Sequence, residues 1–219
     1  MCPVRIIGGV AKGRTLKTLR GYDIRPTPEK VRESLFQRFG ELGGVRFLDG
    51  FAGSGAVGIE ALSRGASRVV FVDSDRRACR CVEENLKQVG FSEEAGRKSP
   101  RRARGADNAA AGVKGVGVPA EGEERSWAIL PMAMTRAIAS LERAEEVFDI
   151  VFLDPPYRSE EGLVVLKRLV GSPLLLPGSR IFLEHAFSEQ IEGAVEAGWR
   201  VVDARRFGDT RVTELARAD

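Results

Sequence analysis

The sequence predicts an α/β protein built on a mostly parallel sheet. Short apolar runs recur at Val45–Asp49, Val69–Val72, Ile150–Leu153 and Ile181–Leu183 without the polar alternation of a half-solvated strand. Helix-length stretches follow the first three, the pattern of strands covered on both faces. The C-terminal end differs: Trp199–Arg206 and Arg211–Leu215 are separated only by Phe207-Gly208-Asp209-Thr210, which predicts a closing antiparallel hairpin.

Taken in order, Arg5-Ile6-Ile7-Gly8-Gly9 and Lys12-Gly13-Arg14-Thr15-Leu16 read as a small β-hairpin whose turn is opened by glycines. Pro26-Thr27-Pro28 then starts a helix, with Thr27 as N-cap, Pro28 in the first helical position and Glu29 in the first turn. Val31, Leu35 and Phe39 give that helix one apolar stripe, and Gly43-Gly44 ends it. Residues 1–43 thus form a basic appendage to a main domain at 44–219. Within the latter, helices are expected at Ala56–Arg64, Asp75–Val89 and Gly162–Val170. Ser92–Ser126 interrupts the rhythm: rich in Gly, Ala, Arg and Glu and without an aromatic residue, it is expected to be a mobile surface insertion. Its stretch Arg97–Arg104 offers a contact to RNA, although a solvated loop is the favoured reading.

A length of 219 residues suits one sizeable domain, and 43% hydrophobic with 30% charged residues excludes a wholly disordered chain. No apolar run approaches the roughly 18 residues of a membrane span. Met1–Gly8 lacks the apolar core of a secretory signal, and Cys2, Cys79 and Cys81 are too few for a disulfide framework. The expected location is the cytoplasm. Net charge is +3, but residues 1–38 carry nine bases against three acids. A basic N-terminal segment on a slightly acidic body fits an anionic partner such as nucleic acid.

Two motifs carry chemistry. Leu48-Asp49-Gly50-Phe51-Ala52-Gly53-Ser54-Gly55-Ala56-Val57-Gly58 follows a strand and opens a helix, where glycines let backbone approach a ligand. Gly53, Gly55 and Gly58 also satisfy the dinucleotide fingerprint, which keeps a nicotinamide oxidoreductase in play. Asp73, ending the next strand, suits a ribose diol in either kind of cofactor. Asp49 favours a cofactor carrying an ammonium group, because a pyrophosphate would be repelled. The second motif, Asp154-Pro155-Pro156-Tyr157, ends the fourth strand at the edge where open α/β sheets bind ligands. A carboxylate and a proline-fixed carbonyl, both accepting from an exocyclic amine, would localise its lone pair, and Tyr157 would stack on the base.

These residues resemble the amino-methyltransferases that use S-adenosylmethionine. More narrowly, the chain resembles the bacterial 16S rRNA guanine-N2 methyltransferase (RsmD-type) family over nearly its whole length. The match runs through Arg5–Gly9, Lys12–Arg14, Arg25–Thr27, Val31–Phe36, Phe51–Gly55 to Gly65-Ala66, Asp154–Tyr157 and Phe207–Thr210. The resemblance implies a Rossmann-like class I methyltransferase sheet and methyl transfer from S-adenosyl-L-methionine, without a metal, to the 2-amino group of a guanine. The implied partner is 16S rRNA in the small ribosomal subunit or its assembly intermediate, met by a monomer with no membrane contact. By motif, Asp49, Phe51, Gly53, Ser54 and Gly55 would line the cofactor's methionine side and Asp73 its ribose. Asp154, Pro155, Pro156 and Tyr157 would hold the guanine; Arg5, Lys12, Arg14 and Lys17 would grip phosphates; Thr27 and Arg32 would lie near the cofactor mouth.

There are departures. Where the family has Gly-Asp after the third strand, this chain has Ile129-Leu130-Pro131-Met132-Ala133, so Met132 packs on adenine but accepts nothing from its amine. Asp73 stands where Glu is usual, and the Ser92–Ser126 insertion is not a usual feature. An RNA-binding assembly factor without activity is the non-enzymatic alternative, with Met132 in its favour and the intact Asp49, Asp73 and Asp154–Tyr157 set against it. Cys79 and Cys81 point different ways on a helix and lack partners at zinc spacing. Cys2 lies outside any strand-loop nucleophile motif, as a C5-pyrimidine methyltransferase would require. His185 reads as structural or peripheral, and Trp127 and Trp199 as core.

Overall fold

The computed structural model describes residues 4–19, 27–91, 116–117, 125–157, 159–189 and 191–218. Its centre is a parallel set of strands: β3 (Arg46–Gly50), β4 (Arg68–Asp73), β6 (Arg125–Pro131), β7 (Phe148–Leu153) and β8 (Leu175–Ala186). β9 (Trp199–Phe207) and β10 (Thr210–Arg217) close it as the expected antiparallel hairpin, with β10 seated between β8 and β9. A two-residue strand, β5 (Val116–Gly117), pairs antiparallel with β6, giving the order β5-β6-β4-β3-β7-β8-β10-β9. Parallel strands need crossovers, and here helices supply them, so both faces of the sheet are covered.

Alternation along each strand sends residues to two cores. Phe47, Phe71, Phe152 and Phe182 face α1 (Glu29–Phe39), α2 (Ala56–Ser63) and α3 (Arg76–Gln88). Leu48, Val70, Val151 and Leu153 face α4 (Met134–Arg143), α5 (Glu161–Leu169) and α6 (Glu192–Glu196). Phe39 meets Phe36, Phe47 and Phe182 edge-on at centroid distances of 5.0, 5.5 and 4.7 Å, which locks α1 to the sheet. Trp127 and Trp199 are buried as expected, and the Trp199 indole donates to the Leu166 carbonyl at 3.0 Å. Among the described residues no helix is long and apolar enough to cross a membrane.

The N-terminal hairpin pairs β1 (Val4–Arg5) with β2 (Thr15–Leu16) and buries Val4, Ile6, Ala11 and Leu16 in the core beneath α1–α3. Its loop docks on the end of α2: Val10 N–H donates to the Ser63 carbonyl at 2.8 Å and Ala11 N–H to the Ser63 hydroxyl at 2.8 Å. The approach is so close that a Cβ on Gly9 would lie 1.8 Å from the Ser63 carbonyl oxygen, so only glycine fits.

Several expectations need correction. Pro28, not Thr27, occupies the N-cap of α1, and no side chain caps that helix. The exposed first turn is open to water, while Thr27 Oγ1 donates to the buried Glu184 at 3.3 Å, a carboxylate with greater need of a donor. The insertion is shorter than expected at its C-terminal end, because Arg125 and Ser126 belong to β6. Arg125 is buried and donates to the Leu62 carbonyl at 2.7 Å, which keeps it in the sheet. The rest of 92–126 apart from β5 lies outside the described residues, as do Cys2 and Arg25-Pro26, so the expected mobility of the insertion falls there.

One buried ion pair ties the N-terminal segment to α2. Arg32 is 1% exposed and donates to Glu60 at 2.9 Å and to the Arg5 carbonyl at 2.8 Å; Arg64 also donates to Glu60, at 2.8 and 3.0 Å. Removing one member of such a pair leaves an uncompensated charge, a loss of about 3–5 kcal/mol. Glu60→Ala is therefore expected to lower the melting temperature by roughly 10 °C in a chain of this size, measured by calorimetry or circular dichroism. A shift within about 2 °C would show the pair to be dispensable.

Candidate functional site

The turn from β3 into α2 is strained and tightly held. Phe51, Gly53 and Gly55 adopt positive φ values of 62°, 54° and 75°, for which only glycine pays no steric cost. Ala52 N–H donates to the Val72 carbonyl at 3.0 Å, and Gly53 N–H donates to Asp73 Oδ2 at 2.9 Å, so β4 anchors the turn. A Cβ on Gly53 would meet nothing within 4 Å, leaving that side of the turn free for a ligand. Gly58 is glycine for another reason: a Cβ would lie 2.4 Å from the Phe71 ring and 2.8 Å from Asp49 Oδ2. Its place in the dinucleotide fingerprint is thus explained by helix–strand packing.

A narrow recess opens beside the turn, lined by Phe51, Val72, Asp73, Met132, Met134 and Glu161 among others. Asp73 accepts from Asp75 N–H at 2.8 Å as well as from Gly53, and each oxygen keeps a lone pair for a hydroxyl donor. Burial raises its pKa. Met132 lines the recess with the other apolar side chains. Glu161, the first residue of α5, brings an acid to the same recess that sequence reasoning did not anticipate.

Asp49 is placed differently. Odd positions of β3 face α2, so its carboxyl group is 2% exposed and accepts from Gly58 N–H at 2.8 Å, satisfying a donor in the first turn of that helix. Burial pushes its pKa up to about 8. It underlies the turn and does not line the recess. Ser54 is fixed from outside by its carbonyl, which accepts from the wholly buried Asn85 at 2.9 Å; Asn85 also holds both backbone groups of Lys17. Asn85 is a positioning residue without any motif to announce it.

Asp154 emerges next to the turn, its N–H donating to the Gly50 carbonyl at 3.2 Å. The parallel register of Leu153 with Leu183 sets Asp154 beside Glu184, the residue sequence reasoning missed. Burial first, then the nearby Glu184 and Asp49 charges, raises the Asp154 pKa well above the carboxylate range, and burial lifts Glu184 to about 7. The Glu184 charge thus opposes ionisation of Asp154. Asp49, Asp73, Asp154 and Glu184 make no ion pair with Lys, Arg or His among the described residues. Among those residues, too, no group of three or more His, Cys, Asp or Glu is arranged to hold a metal.

The prolines divide their work. The Pro156 carbonyl accepts from Ser159, through its N–H at 3.3 Å and its hydroxyl at 2.7 Å, whereas the Pro155 carbonyl has no hydrogen-bond partner among the described residues. Tyr157 is exposed, its hydroxyl 2.8 Å from Thr210 Oγ1, so its ring stands at the mouth. His185, one residue from Glu184, faces the opposite side of the sheet. It is buried, with Nδ1 3.0 Å from the Ala186 carbonyl and Nε2 2.9 Å from Thr213 Oγ1, a structural role. Cys79 and Cys81 are buried thiols whose pKa values burial raises.

Other sequence-selected residues are not brought to this edge. Arg32 is enclosed against Glu60, since a buried carboxylate there outcompetes solvent, and does not reach the mouth. The hairpin loop carrying Lys12 and Arg14 is fastened to Ser63, the far end of α2, about 12 Å of helix rise from the glycine turn. Arg5, Lys12 and Arg14 are exposed, while Lys17 is ion-paired with Glu84 at 2.8 Å.

Comparison with known proteins places the chain in a family. The model of the family described as "Conserved hypothetical protein 95" matches residues 4–115 and 117–216. The rRNA methyltransferase relative YlbH of Bacillus subtilis is 33% identical over 183 residues, covering 83% of this chain and 82% of its own. Ribosomal RNA small subunit methyltransferase D of Haemophilus influenzae is 30% identical over 182 residues, covering 83% of this chain and 78% of that protein. The solved structure of the hypothetical protein TTHA0928 from Thermus thermophilus superposes with a TM-score of 0.70 at 26% identity, covering 96% of this chain and 98% of the other. The sheet, the glycine turn and these matches together make the chain a member of the Conserved hypothetical protein 95 family, to which the RsmD-type methyltransferases belong.

Proposed function

We propose that the protein transfers a methyl group from S-adenosylmethionine to the 2-amino group of a guanine in small-subunit rRNA, free or within an assembling particle. The proposed working form is a monomer. The observation that carries the reading is the placement of Asp154 beside Glu184 next to the glycine turn, with no cation among the described residues to neutralise them. A guanine edge offers two adjacent N–H groups to such acceptors.

The residues present fit the cofactor: Asp73 would hold its ribose hydroxyls, Phe51, Gly53 and Gly55 would line its methionine end, and Met132 would pack on its adenine. When bound, it supplies an electrophilic methyl carbon on a sulfonium centre. Asp154 and the Pro155 carbonyl would accept from the two N–H bonds of the guanine amine, turning its lone pair out of conjugation. The Asp154–Glu184 pair would take the proton that the amine loses, and Tyr157 would stack on the unpaired base. Nothing in this chemistry calls on His185.

Asp154→Ala is expected to reduce methyl transfer to small subunits by at least about 10²-fold while S-adenosylhomocysteine affinity stays within about threefold, measured with labelled cofactor and by calorimetry. Undiminished turnover would remove Asp154 from the mechanism. Raised carboxyl pKa values mean that the acceptor is protonated at low pH, so kcat/KM should climb as pH rises through about 7. In Glu184→Gln that rise should move to lower pH, because one contribution to the raised Asp154 pKa is gone; an unmoved profile would contradict the coupling of the two acids.

A further inference from the structure

We propose that Phe187, Arg206 and Arg211 form a preformed site for one RNA phosphate next to the target base, an inference that rests on the rRNA methyltransferase reading. Arg206 and Arg211 are directly opposed partners on β9 and β10. Like charges in that relation repel, and fold stability alone gives no reason to keep them. Both guanidinium groups lie over the half-exposed ring of Phe187, with centroid distances of 3.8 and 4.5 Å. The ring holds the two cations in place while leaving their nitrogens outward.

Their neighbours are neutralised, and among the described residues they are not. On the same hairpin Arg205 pairs with Asp203 at 3.4 Å, and on β8 Arg180 pairs with Glu214 at 2.7 Å. The acids of this rim are Asp209 and Glu189, and neither comes within 4.0 Å of Arg206 or Arg211 among the described residues. Beyond the bond from Arg206 Nε to the Gly208 carbonyl at 2.8 Å, their guanidinium nitrogens make no hydrogen bond there. Two open, planar forks side by side match one phosphodiester group, which accepts on several oxygens at once.

The site is fastened to the target-base pocket. Phe187 N–H donates to the Asp209 carbonyl at 2.7 Å, holding the hairpin turn against the end of β8. Thr210, the residue before Arg211, meets the Tyr157 hydroxyl at 2.8 Å. A strand whose guanine enters beside Tyr157 therefore passes its flanking phosphate over the arginine pair. The N-terminal hairpin loop, at the other end of α2, would reach only a more distant part of the RNA.

The test is binding of an rRNA fragment and of intact small subunits to the full chain and to Arg206→Gln/Arg211→Gln, which keeps side-chain length on Phe187 and removes charge. The expected result is an affinity loss of about tenfold on both substrates, a log K against log salt slope shallower by about one, and unchanged S-adenosylhomocysteine affinity. Arg206→Lys/Arg211→Lys should restore most of the slope. Should the glutamine pair melt early, Arg206→Gln alone is read in the same way. Wild-type affinity and slope in the glutamine variants would overturn the proposal. So would a loss confined to intact subunits with an unaltered slope, which would assign the pair to a ribosomal protein. Failure of the methyltransferase reading would appear separately, as wild-type protein that binds RNA and transfers no methyl.

Discussion

Four carboxyl groups gathered at the carboxyl edge of the sheet, with no counter-ion among the described residues, are the constraint around which this structure is arranged. Asp49, Asp73, Asp154 and Glu184 each hold a proton more tightly than a solvated acid, chiefly because burial penalises the charged form. Folded, they bind protons that the unfolded chain has released, so their contribution to stability falls as pH rises from about 4 toward 8. A fold bears that cost where a ligand offsets it. On the proposed reading, a cationic cofactor and a donor-rich base edge are the two ligands that would do so.

The scaffold exists to bring those groups together. β3 and β4 end at the glycine turn and Asp73, β7 ends at Asp154, and β8 carries Glu184 alongside. Around them the polar contacts are mutual: Asp73 anchors the turn, Asp49 satisfies α2, Thr27 donates to Glu184. The N-terminal segment contributes by covering this face of the sheet, through the Phe39 contacts and the Arg32–Glu60 pair, more than by carrying charge to it.

Local signals made much of this legible in the sequence. The strand cores, the glycine turn and Asp154–Tyr157 announce themselves by pattern, and Met134, Ala137, Ile138 and Leu141 follow helical spacing that marks α4 as well. Glu184 could not be read so. It lies between Leu183 and His185 in an ordinary strand, and only its register with β7 sets it beside Asp154. Period-two alternation then sends the tempting His185 to the other face. Asn85 and Glu161 are likewise local strangers to the motifs they serve. α6 is five residues long and has no stripe to betray it. Arg206 and Arg211 read as scattered bases until hairpin register opposes them.

The most direct measurement of the central claim is the proton count on cofactor binding, by calorimetry in buffers of different ionisation enthalpy near pH 6.5, where the ligand amine is charged and burial, which pushes Asp49 up to about 8, opposes its ionisation in the free protein. The account predicts net proton release, diminished in Asp49→Asn and Asp73→Asn. Binding with no proton exchanged would mean that these carboxyl groups do not sense the ligand, and the electrostatic basis of the site would be wrong.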